Sequence, residues 1–276
     1  MVIRTAFALF LAGCALLCMA ETGTEIQPRK LIDCHTAGSL PRGYFDLDLK
    51  FFNEGGISTA VNVGLTNRLS IGIAYQAMHV IGTRDIIGQT YPGGLIKYRL
   101  MEESYYLPAL ALGFDSQGSG DFEKFGETAG RFYFKSKGAF VAISKSYLLL
   151  GYPLGLHFEC NYSAVDNNQA ESEKESDLHP SNKFMNMAVG IDKSINEELS
   201  LMAEYDAALD DNYSHNLLDG YLNIGVRWAI IETFIIELDL KDLLENKRAY
   251  PSPIDEYVYA EPGTSREVRV VYIKKF

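Results

Sequence analysis

The sequence predicts an all-β protein, a closed antiparallel transmembrane β-barrel of about twelve strands with short periplasmic turns and longer extracellular loops. Three observations predict it. Apolar and polar residues alternate with a period of two through most of the chain, and the connections between alternating segments are short and long by turns. The third is the segment Arg266 to Phe276, in which Val268, Val270 and Tyr272 alternate with Glu267, Arg269, Val271 and Ile273 before a closing aromatic residue. Val268, Val270, Tyr272 and Phe276 are the expected barrel-assembly signal. A strand in that position needs a partner, and in a closed barrel the partner is the first strand.

The composition agrees with a barrel without demanding one. Of 276 residues, 47% are hydrophobic and 22% charged, with a mean hydropathy of −0.05, the near-neutral average expected when two opposite faces alternate. Seventeen Tyr and 15 Phe suit strands and interfacial girdles. At the N-terminus Arg4, an apolar run from Thr5 to Leu17, and Cys18-Met19-Ala20 before Glu21 predict a signal peptide over residues 1–20. An alternative reading takes Leu11-Ala12-Gly13-Cys14 as a lipoprotein box, which would lipidate Cys14. Past the leader no run approaches the roughly 20 apolar residues of a spanning helix.

Removing Arg4 with the leader lowers the formal charge from −11 to −12, a balance that argues against nucleic acid as a partner. Cys34 and Cys160 then remain, one in a linker and one in a strand, and are expected as two unpaired thiols. With no G-x-S-x-G and no H-E-x-x-H, no enzyme activity, metal or cofactor is expected.

Residues 21–42 hold Pro28, Pro41 and several charges without apolar periodicity, and read as a periplasmic lead-in to a barrel over 43–276. In the first strand Phe45, Leu47, Leu49 and Phe51 share one face, and Tyr44, Asp46, Asp48 and Lys50 the other. Ile57 to Leu65 return after Asn53-Glu54-Gly55-Gly56, and Leu69 to Gln76 form the third strand. Ile96 to Leu100, Tyr106 to Asp115, and strands near 138–145 and 154–163 follow. Met185 to Ile191, Leu199 to Asp206, Leu222 to Trp228, Phe234 to Lys241 and Arg266 to Phe276 complete the twelve.

Thr66–Arg68, Met101–Tyr105, Ser146–Pro153, Lys193–Glu197 and Ala229–Thr233 are the short connections, and those near 79–93, 116–137, 164–182, 210–218 and 242–265 are mostly long. An even strand count returns both termini to the periplasm. A local pattern recurs, Val63-Gly64-Leu65 leading to Leu69-Ser70-Ile71 and Val189-Gly190-Ile191 leading to Leu199-Ser200-Leu201, which suggests one hairpin unit reused. A soluble β-sandwich or propeller would also alternate, but it would leave edges that only closure removes.

Thr36-Ala37-Gly38-Ser39-Leu40-Pro41-Arg42-Gly43-Tyr44-Phe45-Asp46 resembles the entry segment of bacterial outer-membrane proteins of the YjbH-like group. Phe51-Phe52-Asn53-Glu54-Gly55-Gly56 and Leu112-Gly113-Phe114-Asp115-Ser116-Gln117-Gly118 are similar to barrel relatives of that group, and the likeness extends over most of residues 36–276. The resemblance implies an envelope barrel associated with exopolysaccharide export, and so polysaccharide as a ligand.

The lumen-lining candidates are Asp46, Asp48, Lys50, Lys97, Arg99, His157, Glu159, Glu204, Asp206, Arg227, Glu237, Asp239, Lys241 and Arg269. Charge is costly on a lipid face and tolerated in a polar interior. If acidic and basic rows interdigitate they fill the barrel; if they stand on opposite walls they put a transverse field across a narrow pore. Twelve strands favour the filled or narrow lumen. His157, beside Glu159, is expected as a satisfied lumen histidine rather than a catalytic base. Glu171, Glu173 and Glu175, with Asp210-Asp211, read as solvated acidic loops, with divalent cations at lipopolysaccharide as the alternative.

The expected function is a narrow pore or export-associated channel in the outer membrane. The alternative is a closed structural or surface-interaction barrel acting through its acidic loops. The expected partners are outer-membrane lipids, lipopolysaccharide and the outer-membrane assembly machinery.

Overall fold

A computed structural model describes residues 18–19, 27–125, 129–163, 166, 185–211, 217–246 and 263–276. Almost all of the expected signal peptide and most of the 164–182 and 242–265 loops, with Glu171, Glu173 and Glu175, lie outside the described residues.

Twelve strands form the wall: β1 (Tyr44–Phe52), β2 (Gly56–Gly64), β3 (Leu69–Met78), β4 (Gly93–Met101), β5 (Ala109–Asp115), β6 (Gly138–Leu149), β7 (Tyr152–Tyr162), β8 (Asn186–Ser194), β9 (Leu199–Asp206), β10 (Tyr221–Ile231), β11 (Phe234–Lys241) and β12 (Ser265–Lys275). Each pairs antiparallel with its sequence neighbours. The ring closes where β12 meets β1, with Val268 opposite Phe51 and Lys275 opposite Tyr44. Full closure leaves no strand edge in the wall.

The wall is inside-out relative to a soluble protein. Ile71, Ile73 and Tyr75 of β3 and Ile224, Val226 and Trp228 of β10 are exposed on the outer face, Ile73 to 57%. Their strand neighbours Ser70, Gln76 and Asn223 are buried inside. An apolar exterior around a polar interior, with each strand hydrogen-bonded to both neighbours in a ring, is the arrangement of a membrane-spanning barrel.

Connections at one end of the wall are tight and those at the other long, apart from Asn53–Gly55 between β1 and β2. Leu150–Gly151 alone join β6 to β7, and two of the four-residue turns are built alike. At Leu65–Arg68 the Thr66 hydroxyl accepts the N–H groups of Arg68 and Leu69 at 3.1 and 2.9 Å. At Ile195–Glu198 the Asn196 side chain accepts those of Glu198 and Leu199 at 2.9 and 2.7 Å. The hairpin unit is therefore reused from the turn onward, but Gly64 answers to Ser194, not to Gly190. Tyr106 lies in the connection, because β5 begins only at Ala109.

Two stretches lie inside the barrel. Residues 28–41, expected as a periplasmic lead-in, form a plug. Lys30 pairs with His35 across a tip at Leu31–Cys34, closed by the Leu31 N–H on the Cys34 carbonyl at 2.9 Å. Leu31, Ile32, Ala37 and Leu40 are at most 2% exposed. The misreading has a physical reason: these residues are buried by polar partners on the wall, so they carry no periodicity of their own. The 116–137 connection, expected as an external loop, holds a second hairpin, Ser119–Phe125 with Ala129–Phe134, whose Phe132 and Phe134 are buried.

Candidate functional site

The lumen is the candidate site, and the alternation of each strand aims its chemistry inward. All the lumen candidates lie on the inner face: Asp46, Glu159 and Lys241 are 0% exposed, Lys97 1%, and Glu204, Glu237, Asp239 and Arg269 at most 6%. Asp48, Lys50, His157, Asp206, Arg99 and Arg227 share those faces, all but His157 and Asp206 half-buried.

These charges interdigitate and do not stand on opposite walls. Arg269 clasps Asp48, with Nε at 2.9 Å from both carboxylate oxygens, and reaches Glu237 at 2.9 Å. Arg227 donates to the same Glu237 at 2.6 Å. Lys50 lies 3.1 Å from Glu267, and Lys137 pairs with Asp206. Asp239 is not paired in this way: it faces Glu267 across the β11–β12 register, and its Oδ1 has no hydrogen-bond partner among the described residues.

The plug is anchored chiefly through its backbone. The Glu204 carboxylate accepts three successive N–H groups at the tip, from Ile32 at 3.2 Å, Asp33 at 2.9 Å and Cys34 at 2.9 Å, together with the Asn223 amide at 2.8 Å. Glu159 accepts the next, from His35. Arg227 donates to the Lys30 carbonyl at 2.9 Å and Lys97 to the Arg29 carbonyl at 2.7 Å, while the Arg29 side chain pairs with Asp46. Where the stem leaves, Leu40 packs against Val271 and Ile273 and seals the turn end. Gly64 is required there, because a Cβ would overlap the Pro41 carbonyl oxygen.

Lys241 ties plug, wall and inner hairpin together. Its Nζ lies 2.5 Å from Asp33 at the tip, 3.3 Å from Glu267, 3.1 Å from the Ser119 hydroxyl and 3.8 Å from the Phe134 ring centre. Burial pushes the Asp33 carboxyl up, but Lys241 and Lys50 outweigh it and hold it well below its ordinary range. Burial raises the Cys34 thiol beside it. Cys34 and Cys160 are both free.

His35 stacks on Phe140, with ring centres 4.0 Å apart, and its Nε2 lies 3.2 Å from Asp115, too poorly aligned for a hydrogen bond. Burial outweighs Asp115 and drops its pKa to about 3. The imidazole is neutral in the plugged lumen.

His157 sits between Ser144, whose hydroxyl lies 2.8 Å from Nδ1, and Asp192, 2.6 Å from Nε2. A serine, a histidine and a carboxylate in line have the membership of a nucleophile relay. Here the Ser144 oxygen accepts the Ala37 N–H of the plug at 2.8 Å, so the trio holds the plug. Asp210 and Asp211, read as solvated, instead pair inward with Lys135 at 3.0 Å and Arg131 at 2.8 Å. Their cationic partners belong to an inserted segment whose path the sequence does not declare. No group of three or more metal-ligating side chains occurs among the described residues.

Sequence reasoning missed the inserted residues Arg29, Lys30, Asp33, His35, Arg131, Lys135 and Lys137. Two signals were present: Leu31-Ile32 amid charge in a supposed linker, and Arg131-Phe132-Tyr133-Phe134-Lys135 in a supposed loop.

Fold and lumen together define a membrane-spanning β-barrel occluded by its own chain. No protein-family model and no curated protein matches the sequence. Among solved structures the chain is similar to the NanC porin, at 9% identity and a TM-score of 0.43 over 84% of this chain and 99% of that one. It is similar to the KdgM porin, at 7% identity and 0.42 over 83% and 98%. For the outer-membrane protein Omp33 of Acinetobacter baumannii the values are 8% and 0.38 over 86% and 99%. With TM-scores this low the barrel rests on its own closed register.

Proposed function

We propose that the protein is a non-enzymatic outer-membrane channel for small solutes, gated by the plug formed by residues 28–41. The observation that carries this reading is how the lumen is filled. Side chains alone fill small barrels of about eight strands, whereas these twelve strands enclose two segments of chain that are separable from the wall. Glu204, Glu159, Ser144, Arg227 and Lys97 hold the plug by hydrogen bonds to its backbone, contacts that water can replace one at a time. Both termini of the barrel then lie in the periplasm, with lipid and lipopolysaccharide around the wall. Polysaccharide export, which the YjbH-like resemblance implies, would need both inserted segments to leave the lumen.

Liposome swelling tests the proposal. The refolded full chain should pass small neutral sugars slowly and Gly64→Ala faster, because the added methyl displaces the stem. Equal and negligible rates for the two proteins would favour the closed structural barrel instead.

A further inference from the structure

The chamber between the plug and the inner hairpin carries more cation than its wall neutralises. It encloses about 100 Å³ and is lined by seven lysines and arginines against three aspartates, in a chain of formal charge −11. Those aspartates are already engaged. Asp33 meets Lys241 at 2.5 Å, Asp48 meets Arg269 at 2.9 Å, and Asp115 accepts the Gln117 N–H at 2.9 Å while facing His35. Five of the seven cations likewise have a carboxylate oxygen within 4.0 Å.

Lys30 and Lys97 have none among the described residues. Lys97 is 1% exposed, one of the largest fully buried side chains in the wall. Its Nζ makes one hydrogen bond, to the Arg29 carbonyl at 2.7 Å, although an ammonium carries three donors. It also faces the Phe140 ring, whose centre is 6.0 Å away, with Glu159 and Asp115 acting on it from beyond ion-pair distance. Lys30 comes from the plug, and burial, resisted by Asp33, pulls its pKa down. A buried ammonium without a counter-charge is costly, and two of them on one chamber call for an anion.

We infer that this chamber is a binding site for a small oxyanion, the chemistry shared by phosphate and carboxylate groups, held by Lys97 of β4 and Lys30 of the plug. An oxyanion supplies the acceptors that the spare ammonium donors lack, and its charge offsets both lysines at once. The chamber suits a single small group and not a polymer. The site stands apart from the channel reading, because it exists with the plug in place.

Isothermal titration of the refolded full chain with inorganic phosphate, at fixed ionic strength and with chloride as the reference ion, tests the assignment. Saturable binding is expected, weakened at least about tenfold in Lys97→Met through loss of a charge-assisted contact. Thermal unfolding gives a second reading. Phosphate should raise the midpoint of wild type above its value in chloride, and should leave the midpoint of Lys97→Met at its own chloride value. Should Lys97→Met fail to fold, Lys30→Met is expected to lose phosphate binding in the same way. Acetate in place of phosphate distinguishes a general oxyanion site from a phosphate site. Binding that is absent, or equal in wild type and the variants, or matched by chloride, would overturn the inference.

Discussion

Glu204 holds the tip of the plug by accepting three consecutive backbone N–H groups. Truncating it orphans buried donors, each worth about 1–3 kcal/mol. Glu204→Ala is therefore expected to release the plug while leaving the wall intact. The native Cys34 thiol, 1% exposed at the tip, reports the release. With Cys14, Cys18 and Cys160 replaced by Ser, its maleimide labelling should accelerate about tenfold or more, since each ~1.4 kcal/mol is a tenfold change in population; an unchanged rate would mean that Glu204 is not an anchor. Asp239 should behave oppositely. It faces Glu267 across the register with Oδ1 unpartnered, so Asp239→Asn relieves cross-strand like-charge repulsion and should raise stability by about 1 kcal/mol. Chemical denaturation followed by heat modifiability checks the sign, and a loss of stability would refute it. Such roles are not legible in the sequence: it shows which way Glu204 and Asp239 point but not what they meet.

At the scale of elements, the strands were legible and the inserted segments were not. Alternation in β1, β10 and β11 is dictated by the two environments that each strand separates, so Leu47 and Asp46, or Leu238 and Asp239, declare their faces. The plug has no such environment of its own. The side chains that hold its backbone come from β4, β6, β7, β9 and β10, and their convergence exists only after closure. The element carries a pH dependence. His35 has its pKa lowered to about 3 by burial in the plug, against about 6.5 when free in solvent, and it is faced by Asp115, Lys30 and Lys97. Because the plugged state binds fewer protons, its stability is complete above about pH 6.5 and falls as the pH drops from there toward about 3. At about pH 5 the loss is on the order of 2 kcal/mol. Openings recorded in bilayers should become more frequent across that window, and His35→Gln should flatten the dependence. A wild-type profile that Gln leaves unchanged would assign the effect to other groups.

The whole molecule is a ring whose outside dissolves in lipid and whose inside is neutralised largely by its own ion pairs. Twelve strands, an even count and unequal connections at the two ends were readable because closure imposes them on every strand. Occlusion was readable only as far as the limited width of a twelve-stranded barrel. What fills that width, two pieces of chain and not side chains alone, is a matter of tertiary placement. The ring also predicts which charges can change without collapse. Arg227 is locked to Glu237 and to the Lys30 carbonyl, whereas among the described residues the Arg99 Nε has no hydrogen-bond partner and its Nη2 reaches only the Ser39 carbonyl, at 3.5 Å. Arg99→Glu is thus expected to shift ion selectivity toward cations with little loss of stability, and Arg227→Glu to cost several kcal/mol by burying a second carboxylate against Glu237, which then keeps only Arg269. Reversal potentials and denaturation of the two variants, side by side, would expose an error in either assignment.

The central claim, that the plug of residues 28–41 closes a conducting lumen, is tested most directly by single-channel recording of the refolded full chain in planar bilayers, beside its Glu204→Ala variant. The wild type should be closed for most of the record, with brief steps, and the variant should dwell in an open level of the same conductance. Persistent silence in a variant whose Cys34 is freely labelled would contradict the claim, and so would an identical steady open level in both proteins.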